Sequence, residues 1–182
     1  MLEISLHILD IVENSTRAGA NTICIDIIED TAKDILSLEI RDNGSGMSED
    51  VLNKVIDPFF TTKKVRSIGL GLPMLAQAAE RAEGRFTIES KGGEGTRVAA
   101  DFKLSHIDRQ PLGDISGTLV TLIAGNEDID LIYRHEHNGQ TYIFDTREIK
   151  KEIEDIPINH VAVLNFIRNH IIEGLKEIGA EA

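Results

Sequence analysis

Between Asp42 and Leu72 the sequence reads DNGSGM, then DPFFTTK, then IGLGLP, and no other stretch limits the fold as much. Just upstream, Leu36, Leu38 and Ile40 alternate with polar residues and predict a strand over Ile35–Arg41 with those side chains inward. The period of two carries Asp42 onto the same inward face, where a carboxylate without a partner is costly to bury. There it can accept a hydrogen bond from an amino group such as that of adenine. Gly44 and Gly46 let the backbone approach a flat ring closely. A turn-forming Asp before Asn-Gly accounts for the same residues without any ligand. At the far end Gly69 and Gly71 flank Leu70, and Pro73 stands at a helix N1 position. A glycine-rich entry into a helix offers free N–H groups and a positive dipole end to phosphates. Each of these signals is weak by itself.

The flanking segments supply facing residues. A helix is predicted over residues 3–18, with Leu6, Leu9, Val12 and Thr16 at helical spacing, Ile8, Ile11 and Ala18 widening the apolar face, and Gly19 as its C-cap. His7, Asp10, Asn14 and Arg17 form a polar stripe on the same helix. A solvated helix side is the plain reading. The sharper one is a ligand-facing stripe, because an Asn carboxamide oxygen suits Mg²⁺ and a carboxylate one turn earlier can take a proton from an attacking nucleophile. Thr22–Ile28 alternates as a strand, and Glu49–Ile56 and Pro73–Glu83 read as helices. Arg85–Ser90 and Thr96–Leu104 make a hairpin around KGGEG. Thr96 shares the parity of Val98, Ala100 and Phe102, which points it toward the pocket of Asp42.

Past residue 105 the reading is coarser. Ser105–Gly117 is turn-rich and predicts a connecting loop. Thr118–Ala124 is apolar and strand-like. Asn138-Gly139 predicts a two-residue turn pairing Tyr133 with Phe144 and His135 with Tyr142. A last helix is predicted over Asn159–Ile178, with a stripe of Val161, Leu164, Ile167, Ile171, Leu175 and Ile178.

Composition excludes some functions. The net charge of −12 argues against binding a nucleic-acid backbone, which needs a basic field. The local basic cluster, Lys63, Lys64 and Arg66, suits a small anion. No apolar run approaches the roughly 18 residues of a membrane span, so no membrane partner is expected. The single cysteine, Cys24, makes a cytoplasmic location the default.

Taken in order, ILDIVENSTRAGA, DNGSGM, DPFFTTK, GLGLP and GGEGT resemble the N, G1, F, G2 and G3 boxes of the GHKL ATPase superfamily, which unites gyrase B, heat-shock chaperone, histidine kinase and mismatch-repair ATPases. Five motifs in the right order and spacing are a strong signal. The resemblance covers residues 1–105, with 106–182 as a small α+β extension of unassigned function. It implies an α/β (α+β) fold: a two-layer sandwich of the Bergerat type, a mixed sheet with helices on one face and ATP between the layers. By motif match Asn14 coordinates Mg²⁺, Asp42 reads the adenine amino group, and Gly44 and Gly46 line the ring. Gly69, Leu70 and Gly71 wrap the phosphates, Lys63 reaches them from the lid, and Thr96 supports the adenine end. Asp10 stands where the superfamily often has a general-base Glu, and Ser67 where a glycine is usual. The F box and short lid look most like sensor histidine kinases, while VENSTRAGA is similar to the mismatch-repair branch. The expected function is a Mg-dependent histidine-kinase-like module that phosphorylates a partner protein. The alternatives are an ATP-driven switch or slow ATPase acting without phosphotransfer, and a serine kinase of anti-sigma type. The extension is expected to recognise the partner, or to pack or form a homodimer through its last helix.

Overall fold

The computed structural model describes residues 2–55 and 71–180. Helix α1 spans Ile4–Arg17, followed by strands β1, Thr22–Asp30, and β2, Ile35–Asp42, and by helix α2, Glu49–Val55. Helix α3 is Gly71–Arg81, and strands β3 and β4 are Arg85–Lys91 and Gly95–Lys103. Then come α4, Ile115–Gly125; β5, Asp130–His137; β6, Gln140–Asp145; α5, Thr146–Glu152; and α6, Val161–Glu177.

The described strands form one six-stranded sheet in the order β3-β4-β2-β1-β5-β6. Only β1 and β5 run parallel, so the sheet is mixed. Its alternation sorts side chains cleanly. Ile23, Ile25 and Ile27 of β1, Leu36, Leu38 and Ile40 of β2, and Val98, Ala100 and Phe102 of β4 are all buried. The registers Ile25↔Ile40, Ile40↔Val98 and Ile25↔Tyr133 lay them in continuous rows. Against that face α1 packs on α3 and α4, and α4 on α6. The result is the expected two-layer arrangement, with the last two strands and α4 to α6 continuing both layers.

The other face of the sheet carries charge. Arg134 reaches Asp26, Asp26 meets Arg41, Arg41 meets Glu39, and Arg97 joins Glu39 to Glu89. Exposed pairs contribute little individually, ~0.2–1 kcal/mol. Together they line the open face with alternating charge from β5 to β3.

Most expected elements occupy their expected places. The β5–β6 turn has Asn138 and Gly139 at positive φ, and the register pairs Tyr133 with Phe144 and His135 with Tyr142. Several expectations need correcting. Thr118–Ala124 is not a strand but the body of α4. Its β-branched composition favours a strand by propensity. However, Asp114 caps a helix there by accepting the Gly117 N–H at 2.7 Å, and the buried Ile115, Leu119, Leu122 and Ile123 recur at helical spacing. The predicted loop over Ser105–Gly117 therefore ends at Asp114. Helix α5 had no counterpart in the sequence reading. Leu6 and Val161 are exposed rather than core, and Val163 is buried on α6 in place of Val161. His7 of the polar stripe is fully buried.

Candidate functional site

The second half of α1, the end of β2 with its following loop, and the start of β4 converge on a cavity of ≈ 250 Å³. Its walls include Ile11, Met47, Leu72 and Val98, and its polar groups include Asn14, Asp42 and Thr96. Strand parity explains the convergence: Asp42 follows Ile40 inward, and its partner across the β2–β4 ladder is Thr96.

The Asp42 carboxylate is held from two sides. Its Oδ2 accepts the Ser15 hydroxyl hydrogen at 2.6 Å, and its Oδ1 accepts the Gly44 N–H at 2.9 Å. An anionic carboxylate has about four acceptor positions, so two fixed bonds leave acceptor capacity toward the cavity. Thr96 Oγ1 lies 2.9 Å from Ser90 Oγ, which also accepts the Met47 N–H at 2.8 Å. That pair ties the loop after β2 to the β3–β4 hairpin. The loop closes on the hairpin through Gly46 at φ +62° and Gly95 at φ +90°. A Cβ on either residue would sit 2.0 Å from a backbone oxygen, that of Lys91 or of Asp42 respectively. Only glycine fits both the conformation and the approach.

At the other end Asn14 donates its amide to Asp10 Oδ2 at 3.2 Å. This leaves Asn14 Oδ1 buried without a hydrogen-bond partner among the described residues. Gly71, the first residue of α3, lies against the same carboxylate: a Cβ there would fall 1.8 Å from Asp10 Oδ2. Asp10 is thus wedged between Asn14 and Gly71 at the start of α3.

The structure brings Asn14, Asp42, Gly46 and Thr96 to one cavity, with Gly44, Asp10 and Gly71 bonded to or packed on its edges. Lys63, Gly69 and Leu70 lie outside the described residues. Sequence reasoning missed Ser15, which is 3% exposed and sits four residues after Ile11 on the inward side of α1. It also missed Ser90. Helical spacing offered a signal for Ser15, and strand parity with Phe86 and Ile88 offered one for Ser90, whose bond from Met47 depends on the loop folding back onto the hairpin. His7 does not enter the cavity. Burial lowers its pKa, and a bond to Gln110 works against that shift.

Residues 3–106 match the family described as histidine kinase-, DNA gyrase B-, and HSP90-like ATPase. Sensor protein DegM of Bacillus sp. (strain B21-2) is 34% identical over 96 residues, covering 53% of this chain and 26% of its own length. Sensor kinase CckA of Brucella abortus (strain 2308) is 32% identical over 110 residues, covering 52% of this chain and 12% of its own length. The chain therefore spans about a quarter or less of the length of these relatives. Among solved structures, the Aquifex aeolicus MutL ATPase domain complexed with ADP superposes with a TM-score of 0.51 at 13% identity, over 85% of this chain and 68% of that one. That likeness is one of fold.

Proposed function

This chain belongs to the histidine kinase-, DNA gyrase B- and HSP90-like ATPase family, and we propose on that premise that it is a Mg²⁺-dependent module that binds ATP and transfers the γ-phosphate to a histidine of a partner protein. The observation that carries the reading is the Asp42 carboxylate, fixed by Ser15 and Gly44 with acceptor capacity left for the cavity. An adenine amino group satisfies it, and the apolar walls at Ile11, Met47 and Val98 accommodate the ring. Gly44 and Gly46 admit the ring edge, and Thr96 supports that end.

The phosphates then extend toward Asn14, Asp10 and Gly71. A buried amide oxygen without a donor fits a hard cation, so Asn14 Oδ1 is the group that would hold Mg²⁺. When bound, Mg²⁺ neutralises charge on the phosphates. By the motif match, backbone N–H groups of Gly69, Leu70 and Gly71 would cradle the phosphate oxygens, and Lys63 would offer them a counter-charge. In the transfer step an imidazole nitrogen of the partner bonds to the γ-phosphorus as the bond to the ADP oxygen breaks. The proton shed by that ring passes to Asp10. A cytoplasmic location supplies the ATP and Mg²⁺ that this chemistry would use. Residues 1–105 form the nucleotide-binding part, and 106–182 offer the surface that selects the partner.

Native co-purification, followed by incubation with γ-labelled ATP, tests the reading. Acid-labile label on the co-purified protein is the expected result. Acid-stable label would assign the module to serine phosphorylation. Phosphate release, or retained ATP without any transfer, would make it a nucleotide-dependent switch.

A further inference from the structure

Strand β6 is an outer strand of the described sheet and pairs there with β5 alone. The two-residue turn at Asn138 and Gly139 fixes how its backbone is aimed. His137 and Gln140 close the turn as a hydrogen-bonded pair, so Gln140, Tyr142 and Phe144 turn their N–H and C=O groups to β5. Thr141 and Ile143 turn theirs outward. Among the described residues, no backbone bond outside the strand ladders and helices involves either. Edge strands of soluble proteins are guarded against pairing by charge, proline or a bulge. The opposite edge, β3, exposes Arg85, Glu89 and Lys91. The sequence of β6, QTYIFD, has no Lys, Arg or Pro. Its register with β5 runs without a bulge, and Ile143 is 60% exposed.

The helix layer ends on the same side. Helix α6 leans on α4 along one flank, where Arg168 reaches the Asp114 cap at 3.4 Å. Along its other flank His170 lies over β6, with its ring centroid 5.9 Å from that of Tyr142 and 6.4 Å from that of Phe144. Phe166 stacks on His170 at 5.9 Å and 6° and is 58% exposed. An exposed aromatic flank thus borders the free strand edge on the helix side, and Ile143 borders it on the open face of the sheet.

We propose that the β6 edge is a homodimer interface, at which β6 of a second copy pairs antiparallel and the two sheets continue as one. The strand is self-complementary. With Ile143 set opposite Ile143 of the copy, the outward N–H and C=O groups of both residues pair, and the two side chains meet on the open face. The same register sets Tyr142 opposite Phe144 of the copy, an aromatic cross-strand pair beside Phe166 and His170, and Thr141 opposite Asp145. Charge favours a like copy over an oppositely charged partner. Two chains of net charge −12 repel, so a strand that meets its own copy has to be close to neutral. The one charged residue of β6, Asp145, is paired with Arg147, and Glu136, across from Thr141, is paired with Arg134. An acidic or basic peptide would find no unpaired charge on this strand to read. Strands β1 and β5 separate β6 from the β2–β4 site, so pairing leaves both cavities open and does not depend on nucleotide.

Sedimentation equilibrium of the full chain without nucleotide, from about 1 to about 100 μM, tests the interface in wild type, Ile143→Lys and Thr141→Pro. The expected mass of the wild type at the upper end is twice the 20.1 kDa of one chain. Ile143→Lys sets like charges across the symmetry axis and is expected to weaken association by at least about 100-fold, since each substitution counts twice in the dimer. Thr141→Pro removes an N–H that β5 does not use, and a loss of about 10-fold is expected from the two hydrogen bonds it takes from the dimer. Circular dichroism checks that both variants fold. Hydrogen exchange at the Ile143 amide of the wild type, expected to slow as concentration rises, keeps the test decisive if Thr141→Pro does not fold. A wild type that sediments as a monomer throughout overturns the proposal. So does a dimer that either folded variant leaves intact, or an Ile143 amide that exchanges equally fast at both ends of the concentration range.

Discussion

Ser15 and Asp42, on different layers of the fold, are joined by a 2.6 Å hydrogen bond from the serine hydroxyl to the carboxylate. The bond crosses from α1 to the end of β2 and fixes the acceptor at the base of the cavity. Asp42→Asn leaves one oxygen to serve both Ser15 and Gly44 and turns an amide N–H₂ toward existing donors. ATP binding is expected to fall by more than about 100-fold, as for a buried polar site left unpaired. Ser15→Ala removes one support only, and a loss of about 3- to 10-fold is expected. Calorimetric titration measures both, and unchanged affinity in Asp42→Asn would remove Asp42 from the site.

Gly71 and Asp10 give a second prediction. A Cβ on Gly71 occupies the place of Asp10 Oδ2, and the carboxylate can move only by breaking its bond from Asn14. Gly71→Ala is expected to slow phosphate transfer or release by at least about tenfold, the scale of a displaced acid–base group. Adenosine affinity should hold. A variant with wild-type turnover would show that the placement of Asp10 does not matter to the chemistry.

A stability prediction concerns the C-terminal part. Tyr142 packs onto α6 where Gly174 leaves space, and a Cβ at Gly174 would come 2.0 Å from the tyrosine ring. Gly174→Ala forces Tyr142 off the helix and is expected to cost roughly 1–3 kcal/mol. Urea unfolding measures the cost, with nucleotide affinity at low denaturant unchanged. Full stability in Gly174→Ala would mean that Tyr142 repacks without loss.

Burial holds the His7 ring below its ordinary pKa of 6.5. The native chain therefore binds fewer protons than the unfolded chain once pH falls through that value, so stability is full above it and declines below it. The decline attributable to His7 is at most ~1.4 kcal/mol per pH unit. The wild-type unfolding free energy minus that of His7→Leu should therefore decrease as pH drops from about 7.5 to about 5.5. Parallel curves for the two chains would assign the acid sensitivity to other groups.

The central part of the fold is legible because its information is local. Alternation in Leu36, Leu38 and Ile40 carries Asp42 inward, and the same period brings Thr96 opposite it. Asn138-Gly139 sets the β5–β6 register for a similar reason, since a two-residue turn leaves the pairing no freedom. Where the reading failed, local signals conflicted or were absent. The run ISGTLVTLIAG is apolar and β-branched, and period alone does not separate a buried helix from a buried strand. Asp114, the cap that decides it, lay in a stretch read as loop. His7 counted as a polar helix face because nothing nearby in sequence announced its bond to Gln110, 103 residues further on.

The sequence by itself determined the motifs, their order, and the faces on which Asp42, Thr96, Asp10 and Asn14 lie, because helical and strand periods depend on neighbouring residues alone. Tertiary structure decided the contacts between distant segments. It set β5 parallel beside β1, tied Pro111 and Leu112 to the start of α1, bonded Ser15 to Asp42, and wedged Asp10 against Gly71. Those contacts depend on how two layers pack, and packing is governed by shape and by the need to pair every buried polar group, neither of which a period records.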